Sequence, residues 1–214
     1  MAEPGAAIHY TLDGTEPTQA SPRYDTPLAI KDDATLRMRA YKEGFAPSHP
    51  VTADFTLVAN TWKAKLHCTP NPQYLAGGPG GLVDGLRGGD DFRNGGWMGF
   101  EAQDLDVEID FGADLPVNLL SLGCLQDLGS WIFLPESVTY LGSADGRTWT
   151  PLGTVASTVD PRTEGPLRHA FTLKTDGRAW RHVRATAKAI KVAPLWHKGA
   201  NGPAFLFTDE LTVK

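Results

Sequence analysis

No apolar run in this 214-residue chain approaches the roughly 20 residues that a membrane-spanning helix needs. No stretch carries an apolar stripe over three helical turns, which leaves helix only as short turns in loops. Basic charge is not in excess. The 20 Lys and Arg stand against 25 Asp and Glu, for a net charge of -5, with both signs scattered. That balance argues against nucleic acid and anionic membrane as partners, since both need a basic face. There are two cysteines, Cys68 and Cys124, and no Cys/His spacing suited to zinc. Cys124 lies in the apolar "LLSLGCLQ" and reads as a small buried hydrophobe. Free thiols are favoured over a Cys68–Cys124 disulfide. The nucleophile elbow G-x-S-x-G, the metalloprotease H-E-x-x-H and the phosphate loop are all missing. The opening "MAEPGAAIHYTL" has no charged head followed by an apolar stretch, so it reads as no secretion signal. The chain enters a strand pattern almost at once and leaves on one, the expectation for a fragment of a longer protein.

What is present is period-2 alternation. In "LDVEIDF", Leu105, Val107, Ile109 and Phe111 share one face, while Asp106, Glu108 and Asp110 share the other. Val51, Ala53, Phe55 and Leu57 alternate in the same way. "AIHYTL", "LRMRAY", "SVTYLG", "RHAFTLK" and "RHVRATA" read as further strands, separated by Asp-Gly and Asn-Gly turns. Asp13-Gly14 reads as a tight hairpin turn. Apolar content of 41% and charged content of 21% suit a globular chain. The expected fold is all-β, with two sandwich domains at residues 1–58 and 59–214 joined at a polar connector.

The first segment resembles the small β-sandwich near the C-terminus of chitobiases and β-N-acetylhexosaminidases. The likeness is carried by "YTLDGTEPT", "SPRYDTPLAI" and "TLRMRAYKEG". It implies a small Ig/fibronectin-like sandwich with Tyr10, Leu36, Met38 and Phe55 in its core. The second segment resembles the galactose-binding-like jelly roll of discoidin (coagulation factor V/VIII C-type) domains and family 32 carbohydrate-binding modules. Its carriers are "LVDGLRG", "WMGFEAQDLDVEIDFG", "SWIFLPESVTYLGSADGRTWTPLG" and "FLFTDELTV". The two in this order are most similar to the C-terminal region of bacterial family 20 β-N-acetylhexosaminidases. That resemblance implies a secreted, periplasmic or cell-surface parent enzyme. It also implies a non-catalytic region that recognises glycans carrying N-acetylhexosamine or galactose. The alternatives are a structural region that buttresses the catalytic domain, or a protein or cell-surface adhesion module.

Family 20 enzymes use an adjacent Asp-Glu pair, and Asp209-Glu210 is such a pair. It does not read as catalytic here. The family's pair belongs to a (β/α)₈ barrel of about 250 residues. In a regular strand, moreover, neighbouring side chains point to opposite faces. The resemblance instead implies a structural calcium ion held by Asp84, Glu210 and backbone carbonyls. The loop from Asp84 to Trp97 is longer than the family's, and a plain turn at Asp84 is the competing reading. For sugar, two loops offer aromatic plates with polar neighbours: Trp131 with Gln126 and Asp127, and Trp196 with His197 and Asn201. Trp131 and Trp196 could equally pack on the parent's catalytic domain. Trp97 fits a core position, and Trp149 reads as packing inward.

Overall fold

The computed structural model describes residues 4–55 and 61–214. The chain divides into two compact units between residues 57 and 58. Leu57 and the expected 58/59 boundary lie outside the described residues. The fold is all-β. Among the described residues no helix is long and apolar enough to cross a membrane.

In the first unit β1 (Ala7–Thr11), β2 (Ala34–Tyr41) and β3 (Val51–Phe55) form one antiparallel sheet in the order β1-β2-β3. Tyr10 pairs with Met38, Met38 with Val51, and Ala34 with Phe55. Alternation therefore gathers Tyr10, Leu36, Met38 and Phe55 on one face, where all four are partly buried. The other face is polar. Glu16 bridges Arg37 at 2.5 Å and Arg39 at 2.6 Å, and the Tyr41 hydroxyl donates to the Pro17 carbonyl. One expectation is corrected here. Asp13-Gly14 does not close a hairpin, because β1 and β2 are joined through residues 12–33. The Asp13 carboxylate accepts the Thr15 amide and hydroxyl at 3.0 and 2.6 Å, and the Gly14 amide donates to Thr35. The result is a local Asx-type turn that runs the chain along β2.

The second unit is a jelly-roll sandwich. One sheet has the order β10-β7-β12-β5 and the other β4-β6-β11-β8-β9. Its strands are β4 (Lys63–Leu66), β5 (Met98–Glu101), β6 (Leu105–Pro116), β7 (Leu119–Gln126), β8 (Ser137–Ser143), β9 (Thr150–Ala156), β10 (Leu167–Lys174), β11 (Ala179–Lys188) and β12 (Phe205–Val213). Among the described residues helix is limited to 3₁₀ turns at Pro79–Leu82, Phe92–Asn94 and Leu128–Ser130.

Leu105, Val107 and Ile109 of β6 pack with Val138, Tyr140, Val183 and Ala185 against Leu120, Leu122, Phe171, Leu206 and Leu211 of the other sheet. The Tyr140 hydroxyl donates to the Phe171 carbonyl at 2.6 Å and accepts the Leu122 amide at 2.9 Å, which ties the sheets together through the core. Burial pushes its phenol well above the usual range. Both cysteines are free thiols, and Cys124 is buried in this core.

The four-stranded sheet is covered on its outer side as well. There Phe92, Trp97, Leu125, Ile132 and Phe207 form a second cluster. The loop that carries Trp97 is glycine-rich for a steric reason. A Cβ at Gly88 would lie 2.1 Å from the Trp97 ring. The Trp97 indole N–H donates to the Gly89 carbonyl at 2.8 Å.

Trp149 departs from expectation. Val183, Ala185 and Ala187 fill the inward face of β11, so His182 and Arg184 face outward. Trp149 lies with these two, its ring 6.5 Å from that of His182 and 5.8 Å from the Arg184 guanidinium. The turn before it sets this direction. Asp145 Oδ1 accepts the amides of Arg147 at 2.9 Å and Thr148 at 2.8 Å. Those amides, with the Ser143 hydroxyl, hold the Asp145 carboxyl down to about 2. A depressed carboxyl stabilises the fold above its unfolded value of 3.8, and the contribution is lost as pH falls through about 2. Asp145→Ala should therefore lower Tm at pH 5, with the gap from wild type narrowing towards pH 2. Thermal melts across that range check it. A constant gap would show that the charge is not the source.

Candidate functional site

The closing strand β12 holds the two acids the sequence puts side by side. Register along β7 and β12 slips between Thr208, opposite Cys124, and Leu211, opposite Leu122. Asp209 and Glu210 together thus face the single residue Gly123, which is a β-bulge. The rule that neighbours point apart does not hold at a bulge, and both carboxylates reach the same loop. Glu210 Oε2 accepts the Gly85 amide at 3.2 Å, and Asp209 Oδ2 accepts the Gly88 amide at 3.0 Å. Asp209 Oδ1 also receives the Glu210 amide at 2.6 Å and faces the Arg87 guanidinium at 3.4 Å. Arg87 in turn donates to Thr212 Oγ1 at 2.6 Å. Gly123 makes room for this arrangement, since a Cβ there would sit 2.0 Å from Asp209 Oδ1 and 2.7 Å from Arg87 Nη1.

Electrostatics distinguish the two acids. Burial raises the Asp209 carboxyl, and Arg87 with the amides of Glu210 and Gly88 opposes the rise. Burial pushes Glu210 up to about 7, and the neighbouring Asp84 charge adds to it. Burial also raises Asp84, whose Oδ1 accepts the Leu86 amide at 2.9 Å. Asp84 and Glu210 are therefore brought together, each holding an amide with one oxygen. The Asp84 charge opposes ionisation of the buried Glu210, and a hard divalent cation beside the two would relieve that. Among the described residues no set of three or more His, Cys, Asp or Glu side chains could hold a metal. The remaining oxygens would be backbone carbonyls, a shell calcium accepts. Two carboxylates are the hard oxygen donors that calcium takes.

The second location is one end of the sandwich, where three connections meet: 127–136 between β7 and β8, 157–166 between β9 and β10, and 189–204 between β11 and β12. Leu128, Phe133, Ala193 and Ala204 pack into a small apolar floor that joins the first and third. Above it opens a cavity of about 570 Å³, lined by Asp127, Leu128, Gly129, Arg162, Glu164, Gly165, Trp196, His197 and Lys198. That volume falls within the roughly 300–1,000 Å³ of small-ligand sites.

Of the six residues expected at a sugar site, Asp127, Trp196 and His197 line this cavity. The Asp127 carboxylate also accepts the Ser130 hydroxyl at 3.0 Å. His197 is buried and both ring nitrogens are engaged. Nδ1 accepts the Gly199 amide at 3.1 Å, so Nε2 carries the proton and donates to the Leu128 carbonyl at 2.8 Å. It fixes the wall rather than offering a donor to a ligand. Trp131 lies beside the cavity, its indole laid against Gly199, where a Cβ would meet the indole nitrogen at 1.7 Å. Its left-handed φ of 59° costs on the order of 1 kcal/mol. The Leu128 carbonyl, accepting its amide, and the Phe205 amide, donating to its carbonyl, hold it there.

Gln126 is buried behind the lining, and its amide donates to the Thr163 carbonyl at 2.9 Å, supporting the 157–166 connection. Asn201 takes a left-handed φ of 65° in the third connection, and its amide donates to Ala193. It does not line the cavity. The sequence reading missed Arg162 and Glu164. Their only local sign is the Pro- and Gly-bounded "DPRTEGP", where Asp160 accepts the Arg162 amide at 2.9 Å.

Residues 1–55 match the family described as Fn3 associated. No curated protein matches the chain. Similar solved structures include CBM32-1 from a family 31 glycoside hydrolase of Clostridium perfringens, at 17% identity and TM-score 0.46, over 73% of this chain and 95% of that one. Another is the family 32 module of C. perfringens NanJ in complex with galactose, at 14% and 0.45, over 71% and 92%. A third is the lectin domain of lectinolysin with Lewis B antigen, at 13% and 0.47, over 73% and 94%. These neighbours are carbohydrate-binding domains.

The bulge makes a steric prediction. Gly123→Ala should destabilise the second unit by about 2 kcal/mol, in the range of overpacking costs. In an Asp209→Ala background the same change should cost less than half as much. A double-mutant cycle in urea checks it, and equal costs in both backgrounds would separate Gly123 from the acids.

Proposed function

We propose that the second unit is a non-catalytic carbohydrate-binding module whose ligand sits in the cavity of Asp127, Arg162, Glu164 and Trp196. The observation that carries this reading is the cavity itself. It combines ligand-site volume, a packed apolar floor, a partly exposed indole and charged groups lining one opening. An apolar ring face set among hydrogen-bonding groups is what a pyranose requires. The sequence resemblance supports a ligand class of glycans carrying N-acetylhexosamine or galactose, and a parent β-N-acetylhexosaminidase working outside the cytoplasm.

A buttressing role against the parent's catalytic domain is favoured by one feature, the exposed apolar tip formed by Leu195 (83%) and Val192 (53%). Calorimetric titration with N-acetylglucosamine, N-acetylgalactosamine, galactose and N-acetyllactosamine separates the two. Sugar binding predicts saturable heats, weakened at least about tenfold by Trp196→Ala, about 1.4 kcal/mol. Silence at millimolar concentrations of every sugar, neutral or acidic, would favour buttressing.

We further propose that Asp84 and Glu210 hold a structural calcium ion. A ligand that binds only the folded state stabilises it by about 2.7 kcal/mol at a hundredfold excess over Kd. Calcium should then raise Tm in wild type and leave the melting of Glu210→Gln unchanged. Equal shifts in both proteins would remove Glu210 from the site.

A further inference from the structure

Two cations line the cavity, and both are held on indole rings rather than on carboxylates. The Arg162 guanidinium lies 5.4 Å from the centre of the Trp196 ring, and Lys198 Nζ lies 5.0 Å from that of Trp131. Among the described residues neither forms an ion pair, although Asp127 and Glu164 line the same cavity. With one face on an indole, a guanidinium keeps its N–H edge free. That edge is planar and matches a carboxylate with two parallel hydrogen bonds. The arrangement also changes the part played by Trp196. One of its faces is taken by Arg162, so the ring serves as a platform that aims the cation and is not free on both sides to stack a sugar.

We infer that the cavity selects a sugar bearing a carboxylate, a uronate or a sialate, within the glycans it binds, with Arg162 as the specificity-determining residue and Lys198 adding charge. This deepens the sugar-binding reading and rests on it. Asp127 and Glu164 then act as acceptors for ring hydroxyls, which donate. Glu164 is exposed and repels an acidic ligand, so its charge tunes the selectivity downward.

Matched pairs test this in the full chain: galacturonate against galactose, glucuronate against glucose, and N-acetylneuraminate against N-acetylglucosamine, titrated by calorimetry at low and high salt. The expected result is at least one acidic sugar binding about tenfold more tightly than its neutral partner, with the margin shrinking as salt screens the charges. Galacturonate and glucuronate distinguish a uronate ligand from the sialate. Arg162→Gln should abolish the margin, the acidic sugar losing more affinity than its neutral partner, and Glu164→Gln should widen it. Both side chains are exposed, and circular dichroism checks that each variant is folded. Neutral sugar bound with no preference for its acidic partner overturns the inference and leaves the sugar site standing. Absence of binding by every sugar, neutral and acidic, overturns both.

Discussion

Two carboxylates side by side on the closing strand face a residue with no side chain. Asp209 occupies the space that a Cβ on Gly123 would fill, and the bulge turns Glu210 towards the same loop. Between them they accept the amides of Gly85 and Gly88, and Arg87 closes the arrangement over Thr212. Each charged hydrogen bond is worth roughly 1.5–3 kcal/mol. Burying the carboxylates costs several kcal/mol per ion. The net attraction is therefore modest, and what the arrangement supplies is position. It pins the start of the loop that carries Gly88 against Trp97. That loop covers the outer side of the four-stranded sheet, which explains why β7 is buried along nearly its whole length and why "LLSLGCLQ" does not alternate.

The loop end of the sandwich follows a related logic. Its connections carry backbone hydrogen bonds of their own, such as those between Asp127 and Ile132 and from the Ala193 amide to the Gly202 carbonyl. They are held by Leu128, Phe133, Ala193 and Ala204 below and by the two nitrogens of His197 within the wall. Trp131 accepts a strained backbone so that its ring can lie on Gly199. A wall tied down by its own packing and hydrogen bonds has less conformational freedom to lose on binding.

Much of the fold was legible in the sequence because alternation is a local signal. Leu105, Val107 and Ile109 had to share a face in any regular strand, and they do so at the centre of the core. The misreadings arose where a local signal met a distant partner. Asp13-Gly14 has the composition of a hairpin turn, yet the strand it leads to lies beyond residue 33. Trp149 stands in a strand-like pattern, yet the turn at Asp145 directs it to the outer face. His197 does line the cavity, with its nitrogens engaged by Gly199 of its own loop and by Leu128 of the neighbouring one. Arg162 and Glu164 gave almost no sign, since an Arg and a Glu in a polar turn are ordinary surface residues until a cavity forms beside them.

The sequence by itself determined the β class, the inward and outward sets on most strands, and the presence of two indole-bearing loops, because side-chain periodicity is a property of the chain's own geometry. The bulge, the loop it anchors, the cavity and the pairing of Arg162 with Trp196 were decided only by tertiary structure. Each depends on residues far apart in the chain meeting at distances of a few ångströms, and no local pattern of residue types encodes which of them will meet.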